Sequence, residues 1–272
     1  MSLRSSLATH ALLMLALSAG AHAVVIFNSD FTTDPTPTFA LNGGGAALAT
    51  MGTSGPGGSR AIQVVDTSTT GNVAAQLVMS TAGVPTFNTT TVGQETLIFS
   101  FDMAITSMSA TANNAAIPRI LFRNTTTTAQ GITIGLGLNS SNRLILFAAR
   151  GDNATTAAAN RVDLHDFGEY SATLDDNDTD DAYVNVVVTY INGASSMSVA
   201  ASQAGVWSNS GSIGGFLNTT SFSNSNLTVL AATGSGTVGT LYFDNMSLVA
   251  IPEPASAALL ALGVIPLVRR RR

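Results

Sequence analysis

The chain has 272 residues, of which 45% are hydrophobic and only 10% charged, where an average soluble domain carries about 25% charge. It contains no cysteine, and every one of its 11 basic residues is an arginine; disulfides, thiolate metal sites, cysteine nucleophiles and iron–sulfur clusters are therefore excluded, as is Schiff-base or phosphate-loop lysine chemistry. The formal net charge of −5 argues against nucleic acid, whose binders present a basic face, while the apolar content is ample for a core.

In chain order, residues 1–23 come first. They hold one basic residue, Arg4, an apolar run from Ala11 to Leu17, and an Ala21-His22-Ala23 exit. Charge, apolar run and small residues in that order predict a secretory signal peptide cut after Ala23, with signal peptidase as the implied partner and Val24 as the first residue of the mature chain.

Residues 24–250 follow with no linker inside them, a length that all-β sandwiches fill as one domain. Strands are expected at Ala61–Val65, Val73–Met79, Thr96–Met103, Arg119–Arg123, Ile132–Leu138, Arg143–Phe147, Tyr183–Ile191, Met197–Ala201 and Leu241–Val249. Each is short, rich in β-branched or aromatic residues, and bounded by Gly, Asn, Ser or Thr. Gly131 to Leu138 alternates large apolar residues with Gly and Thr, which predicts one core face and one open face. Tyr183 to Tyr190 is more continuously apolar and reads as an inner strand covered on both sides. Ala154 to Ala159 is too short for a helix and reads as a loop. The sum is an all-β, two-sheet antiparallel sandwich of the jelly-roll type.

Few residues in this body can do chemistry. Glycosidic cleavage needs two carboxyls flanking one bond, yet the only glutamates before the tail are Glu95 and Glu169, far apart in sequence. Asp102, on the 96–103 strand, and Asp163 or Asp166, near Glu169, could pair across the sandwich, set against ordinary turn and strand-edge carboxylates. His165 is the sole histidine outside the signal peptide, and no Gly-x-Ser-x-Gly elbow accompanies it. No catalytic residue is assigned. Asp175-Asp176-Asn177-Asp178-Thr179-Asp180-Asp181 begins like a calcium loop, but Asp181 replaces the glycine and Val187 the bidentate glutamate of an EF-hand. A looser calcium site at Asp176, Asp178 and Asp180 is the one metal candidate, set against a solvated acidic turn; no other cofactor is expected. Trp207, read here in a polar loop with Asn209 beside it, is the candidate for stacking on a sugar ring, set against a core plug.

The chain ends in Ile251-Pro252-Glu253-Pro254, an uncharged stretch from Ala255 to Val268, and Arg269, Arg270, Arg271 and Arg272. As a helix the fourteen-residue stretch reaches roughly 21 Å against a hydrocarbon core of about 30 Å, short for a permanent anchor, and the arginines favour the cytoplasmic side. Pro252, Glu253 and Pro254, the apolar helix and the arginine cluster together resemble the PEP-CTERM sorting signal of bacterial exported proteins. That resemblance implies an exosortase-type membrane protease as partner, transient anchoring through the tail, and delivery of the body to the cell surface, commonly in bacteria that make exopolysaccharide. It covers residues 251–272. In the body, Phe27-Asn28-Ser29-Asp30-Phe31, the strand, Asn192-Gly193 turn and strand unit from Tyr183 to Ala201, and Gly239 to Leu248 resemble the first, late and last elements of concanavalin A-like lectin/glucanase jelly rolls. The likeness implies that the first and last strands lie side by side.

The expectation is an exported, non-enzymatic β-sandwich at the cell surface or in the extracellular matrix, associated with polysaccharide or adhesion. A glycan-active enzyme and a purely structural coat protein are the alternatives. Five of the arginines (Arg4 and Arg269 to Arg272) belong to the two ends, so residues 24–253 keep six against all 16 acids, a net charge of −10.

Overall fold

The computed structural model describes residues 23–29, 31, 40–43, 48–52, 61–66, 73–78, 85–90, 96–110, 116–126, 130–141, 143–151, 160–169, 183–203, 205–217, 219–233 and 237–251. Its regular elements are all strands: β1 (Val24–Ser29), β2 (Ala40–Gly43), β3 (Leu48–Gly52), β4 (Ala61–Asp66), β5 (Val73–Val78), β6 (Thr96–Ala110), β7 (Ala116–Asn124), β8 (Gly131–Leu138), β9 (Arg143–Arg150), β10 (Arg161–Glu169), β11 (Val184–Ile191), β12 (Ser196–Gln203), β13 (Trp207–Gly214), β14 (Leu227–Thr233) and β15 (Thr237–Ile251). They form two sheets. One runs β13-β12-β11-β6-β15-β4-β3 with β1 also on β15; the other runs β10-β9-β8-β7-β14-β5-β2. The pairings within both are antiparallel, the architecture expected from the strand pattern.

Strand β15 organises the first sheet. One side pairs with β6 along its length; the other takes β4 at Gly239–Phe243 and β1 at Met246–Ala250. Between those stretches the ladder slips from Asp244 to Ser247, and Asn245 takes φ 47°, a left-handed conformation that asparagine tolerates better than most side chains. The first and last strands do lie together, with Val24 opposite Ala250. The Asn192-Gly193 turn also forms: Gly193 has φ 75°, and the Ala194 amide donates to the Ile191 carbonyl at 3.0 Å, closing β11 onto β12.

Alternation sends every second residue between the sheets. Leu97, Phe99, Phe101 and Met103 of β6, Val184, Val186, Val188 and Tyr190 of β11, and Ile132, Ile134 and Leu136 of β8 all belong to one buried cluster. Phe99 stacks across the sheet interface on Phe122 of β7 at 5.3 Å and 19°. Phe122 in turn meets Phe222 at 5.2 Å, and Phe222 meets the edge of Tyr190 at 5.0 Å and 82°. Such pairs contribute about 0.5–1.5 kcal/mol each beyond the area they bury.

Tyr190 is fully buried, and its hydroxyl donates to the Thr220 carbonyl. Burial raises its pKa above the usual value, opposed by a backbone hydrogen bond at Gly193. With the folded pKa above the unfolded one, this stabilisation is complete below about pH 10 and is lost as pH rises through the folded value. Chemical denaturation from pH 8 to 11 should show stability falling at the alkaline end, with a smaller fall in Tyr190→Phe; equal falls would contradict the assignment.

Two strand readings exchange places. β11 is not covered on both faces: Val184, Val186, Val188 and Tyr190 are buried, while Asn185 and Ile191 are exposed. The doubly covered strands are β8, buried from Gly131 to Gly137, and β9, buried from Leu144 to Ala149. The open-looking face of β8 consists of Thr133, Gly135 and Gly137, which register opposite Ala149, Phe147 and Ile145. Small residues there sink between larger neighbours, so alternation in size does not report exposure. The segment 154–159, read as a loop, lies outside the described residues.

Candidate functional site

Trp207 is not in a loop. It opens β13, the edge strand of the first sheet, opposite Gln203 in an unbroken register. Its neighbour across the side of the sandwich is β10, the edge strand of the second sheet. There the His165 ring lies flat on the indole, with centroids 4.0 Å apart and 4° between planes. Phe167 meets His165 edge-on at 4.7 Å and 79° and Trp207 at 6.1 Å and 81°. The indole Nε1–H donates to Gln203 Oε1 at 3.0 Å, satisfying an acceptor in a residue only 3% exposed. The two strands also touch directly: a Cβ at Gly211 would stand 2.4 Å from Val162 Cγ1, a close approach that glycine permits.

One face of Trp207 is thus engaged in closing the sandwich, as a core plug would be. The residue is nevertheless only partly buried, and Asn209, two positions along on the same side of β13, is exposed, as are Gly205 and Val206 before it. Val206 is 67% exposed. Indole, amide and imidazole therefore share one rim, combining a flat apolar surface with hydrogen-bonding groups, the set that receives a pyranose ring by C–H contact on one side and hydroxyl pairing on the other.

The electrostatics of β10 are local. Arg143 Nε lies 2.7 Å from Asp166 Oδ2, and the Gly168 amide donates to Asp166 Oδ1 at 2.9 Å. These two bonds, the arginine first, hold Asp166 below the usual carboxylate range, and Asp166 raises the Arg143 guanidinium. Burial lowers the His165 pKa, partly offset by the charge on Asp166. A histidine whose folded pKa lies below the unfolded one stabilises the fold fully above the unfolded value, about 6.5, and that contribution is lost as pH falls through the folded value. Thermal melts from pH 7.5 to 5 should show declining stability, and His165→Phe, which keeps a ring against the indole, should flatten part of that slope. An unchanged slope would remove His165 as its source.

The remaining candidates do not converge. Asp102 lies on β6 of the first sheet, where its two carboxylate oxygens accept from Asn185 Nδ2 and Asn245 Nδ2, both at 2.8 Å. Asp163 and Asp166 lie on β10 of the other sheet, each held by an arginine at 2.7 Å, and Glu169 is exposed at that strand's end. The cross-sandwich carboxylate pairing is not formed. Glu95 lies outside the described residues, as do Asp176, Asp178, Asp180, Ala21, Pro252, Glu253, Pro254 and Arg269 to Arg272; Ala23 is exposed immediately before β1. Among the described residues there is no group of three His, Asp or Glu side chains able to hold a metal, and no helix long and apolar enough to cross a membrane.

One grouping escapes the composition argument. Arg119 and Arg123 of β7 register opposite Gly135 and Gly131 of β8, and Arg161 of β10 opposite Ala149 of β9, which puts three of the body's six arginines on the outer side of the second sheet. Arg161 lies over the Phe147 ring, 4.1 Å from its centroid. The even spacing of Arg119 and Arg123 within a strand was the available clue.

No protein-family model matches the chain, and no curated protein sequence matches it. Solved structures do. The winged bean acidic lectin complexed with methyl-α-D-galactose superposes with a TM-score of 0.53 at 11% identity, over 85% of this chain and 98% of that one. A carbohydrate esterase from the Shiga toxin-encoding bacteriophage phi24B superposes with a TM-score of 0.50 at 13% identity, over 85% of this chain and 100% of that one.

The described strands form a jelly-roll sandwich. At these identities the likeness is one of fold, and activity has to be argued from the site.

Proposed function

We propose that this is an exported surface protein, sorted through its PEP-CTERM tail by an exosortase-type protease, whose jelly roll associates with extracellular polysaccharide through the Trp207 rim without cleaving it. The observation that carries the sorting half is the pairing of Val24 with Ala250. Strand β1 starts at Val24, the expected first residue after signal-peptide cleavage, and β15 ends at Ile251, next to Pro252-Glu253-Pro254, so cuts at both expected positions would spare these two paired strands. That suits a body held beside a membrane until each end is processed, with Arg269 to Arg272 on the cytoplasmic side.

The carbohydrate half is supported by the lectin-type fold and by the exposed Asn209 and Val206 flanking a partly exposed indole. The absence of turnover is supported by the scarcity of glutamate and by the separation of Asp102 from Asp163 and Asp166. Replacing Pro252, Glu253 and Pro254 with alanine should leave an uncut precursor in the membrane fraction, detected by intact-mass spectrometry. A variant processed like the parent would refute the sorting reading.

A further inference from the structure

We infer that the end of the sandwich carrying Val24 and Ile251 rests on a lipid bilayer through an apolar corner, with the Trp207 rim turned away from the membrane. The inference rests on the sorting reading above, which inserts residues 255–268 in a bilayer until the tail is cut. Among the described residues, the large hydrophobic side chains left exposed are Val25, Ile191, Val206 and Leu217, and three of them share that end. Ile191 closes β11 opposite Thr96 at the start of β6, and Thr96 stands opposite Ile251 at the end of β15. Val25 stands opposite Val249, and Val249 opposite Ile98. Leu217 follows β13 where the Phe216 amide donates to the Ser195 carbonyl at 3.1 Å, beside the turn from β11 to β12. Leu97, Tyr190 and Ala250 point into the core, so alternation puts Ile98, Ile191, Val249 and Ile251 on the outer side of the first sheet. Ile98, Val249 and Ile251 are half-buried there. With Val25 and Leu217 they form an apolar corner over neighbouring strands, whereas isolated surface hydrophobics would call for no explanation.

The tail selects the occupant. Only Pro252, Glu253 and Pro254 separate Ile251 from Ala255, and four residue steps span at most roughly 14 Å. Headgroups take up about 5–8 Å on each side of the hydrocarbon, so insertion of the apolar stretch brings the corner to the headgroup layer. A tether that short gives the corner a high effective concentration at the interface, and weak apolar burial then suffices to seat it. Residues 24–253 carry a net charge of −10, which provides no attraction to anionic lipid; the contact is apolar and does not need charged headgroups. Trp207 stands opposite Gln203, at the ends of β13 and β12 farthest from Ser196 and Gly214. Seating the corner therefore fixes the body upright and presents the rim, with Val206 beside it, to the extracellular side.

The chain has no cysteine, so one introduced thiol carries one fluorophore. The chain lacking residues 1–23 but keeping its tail is reconstituted into phosphatidylcholine vesicles with a nitrobenzoxadiazole label at Leu217→Cys or, separately, at Ser208→Cys. The label at 217 should shift to the blue and be quenched by nitroxide-bearing lipid, while the label at 208 should keep the emission it has in water. Adding Val25→Asp and Ile191→Asp, both at exposed positions, should remove most of the quenching at 217 while the chain still floats with the vesicles and keeps its far-ultraviolet spectrum. If that double variant fails to fold, Ile191→Asp alone gives the same readout. A label at 217 that stays in water on a chain that floats with the vesicles would overturn the inference and leave the inserted tail standing. A blue shift without quenching would overturn it as well, because the tail or a second copy then covers the corner, and so would equal quenching in parent and variants. A chain that does not float with the vesicles would refute the inserted tail and this inference together.

Discussion

Phe122→Ala should lower folding stability by about 3–5 kcal/mol, the range for removing a large buried aromatic side chain. Phe122 is 1% exposed and joins the two sheets: it stacks on Phe99 of β6 and touches Phe222 ahead of β14. Its loss leaves a void against both partners, and neither sheet can close on it because each is pinned by its own ladder. Phe122→Leu, which refills part of the volume, should cost under half as much. Urea unfolding by intrinsic fluorescence measures both. A loss under about 1 kcal/mol for Phe122→Ala, the size of an average substitution, would mean that the sheets do not meet through this ring.

Trp207→Ala should have two effects of different origin. Removing the indole strips His165 and Phe167 of their common neighbour and leaves Gln203 Oε1, in a residue only 3% exposed, without its donor; about 2–3 kcal/mol of stability should go, less than for Phe122 because Trp207 is partly exposed. The same change should abolish polysaccharide binding. Trp207→Phe separates the two: it keeps a ring on His165 but loses the Nε1–H, so stability should fall by only about 1–2 kcal/mol, while binding weakens at least about tenfold, equivalent to some 1.4 kcal/mol. Asn209→Ala, exposed on the same side of β13, should weaken binding with stability unchanged to within about 0.5 kcal/mol.

The sandwich itself was legible because its central strands are written in the ordinary code. Thr96–Met103, Arg119–Arg123 and Met197–Ala201 place apolar residues at alternate positions and fall within β6, β7 and β12. The edges were not legible, for the same physical reason. β13 faces solvent with three serines and needs no apolar period, so its residues read as a loop; β10 breaks its period at two bulges, with Gly168 at φ 103°.

This explains why the candidate site was only half visible. Trp207 and Asn209 stood out by residue type, but His165, 42 positions earlier in the chain, joins them only because β10 and β13 are the two edge strands on one side of the sandwich. The arginines at 119, 123 and 161 likewise become a group only through the registers of β7, β8, β9 and β10.

Carbohydrate binding at the rim around Trp207 can be tested directly. The experiment is a glycan array that includes bacterial exopolysaccharides, probed with the purified parent and with Trp207→Phe in parallel. The parent should bind at least one polysaccharide saturably, without release of shortened product, and the variant should give a signal at least about tenfold weaker. Parent and variant binding alike, or a parent that binds no glycan at concentrations up to about 1 mM, the weak end of specific affinity, would contradict it.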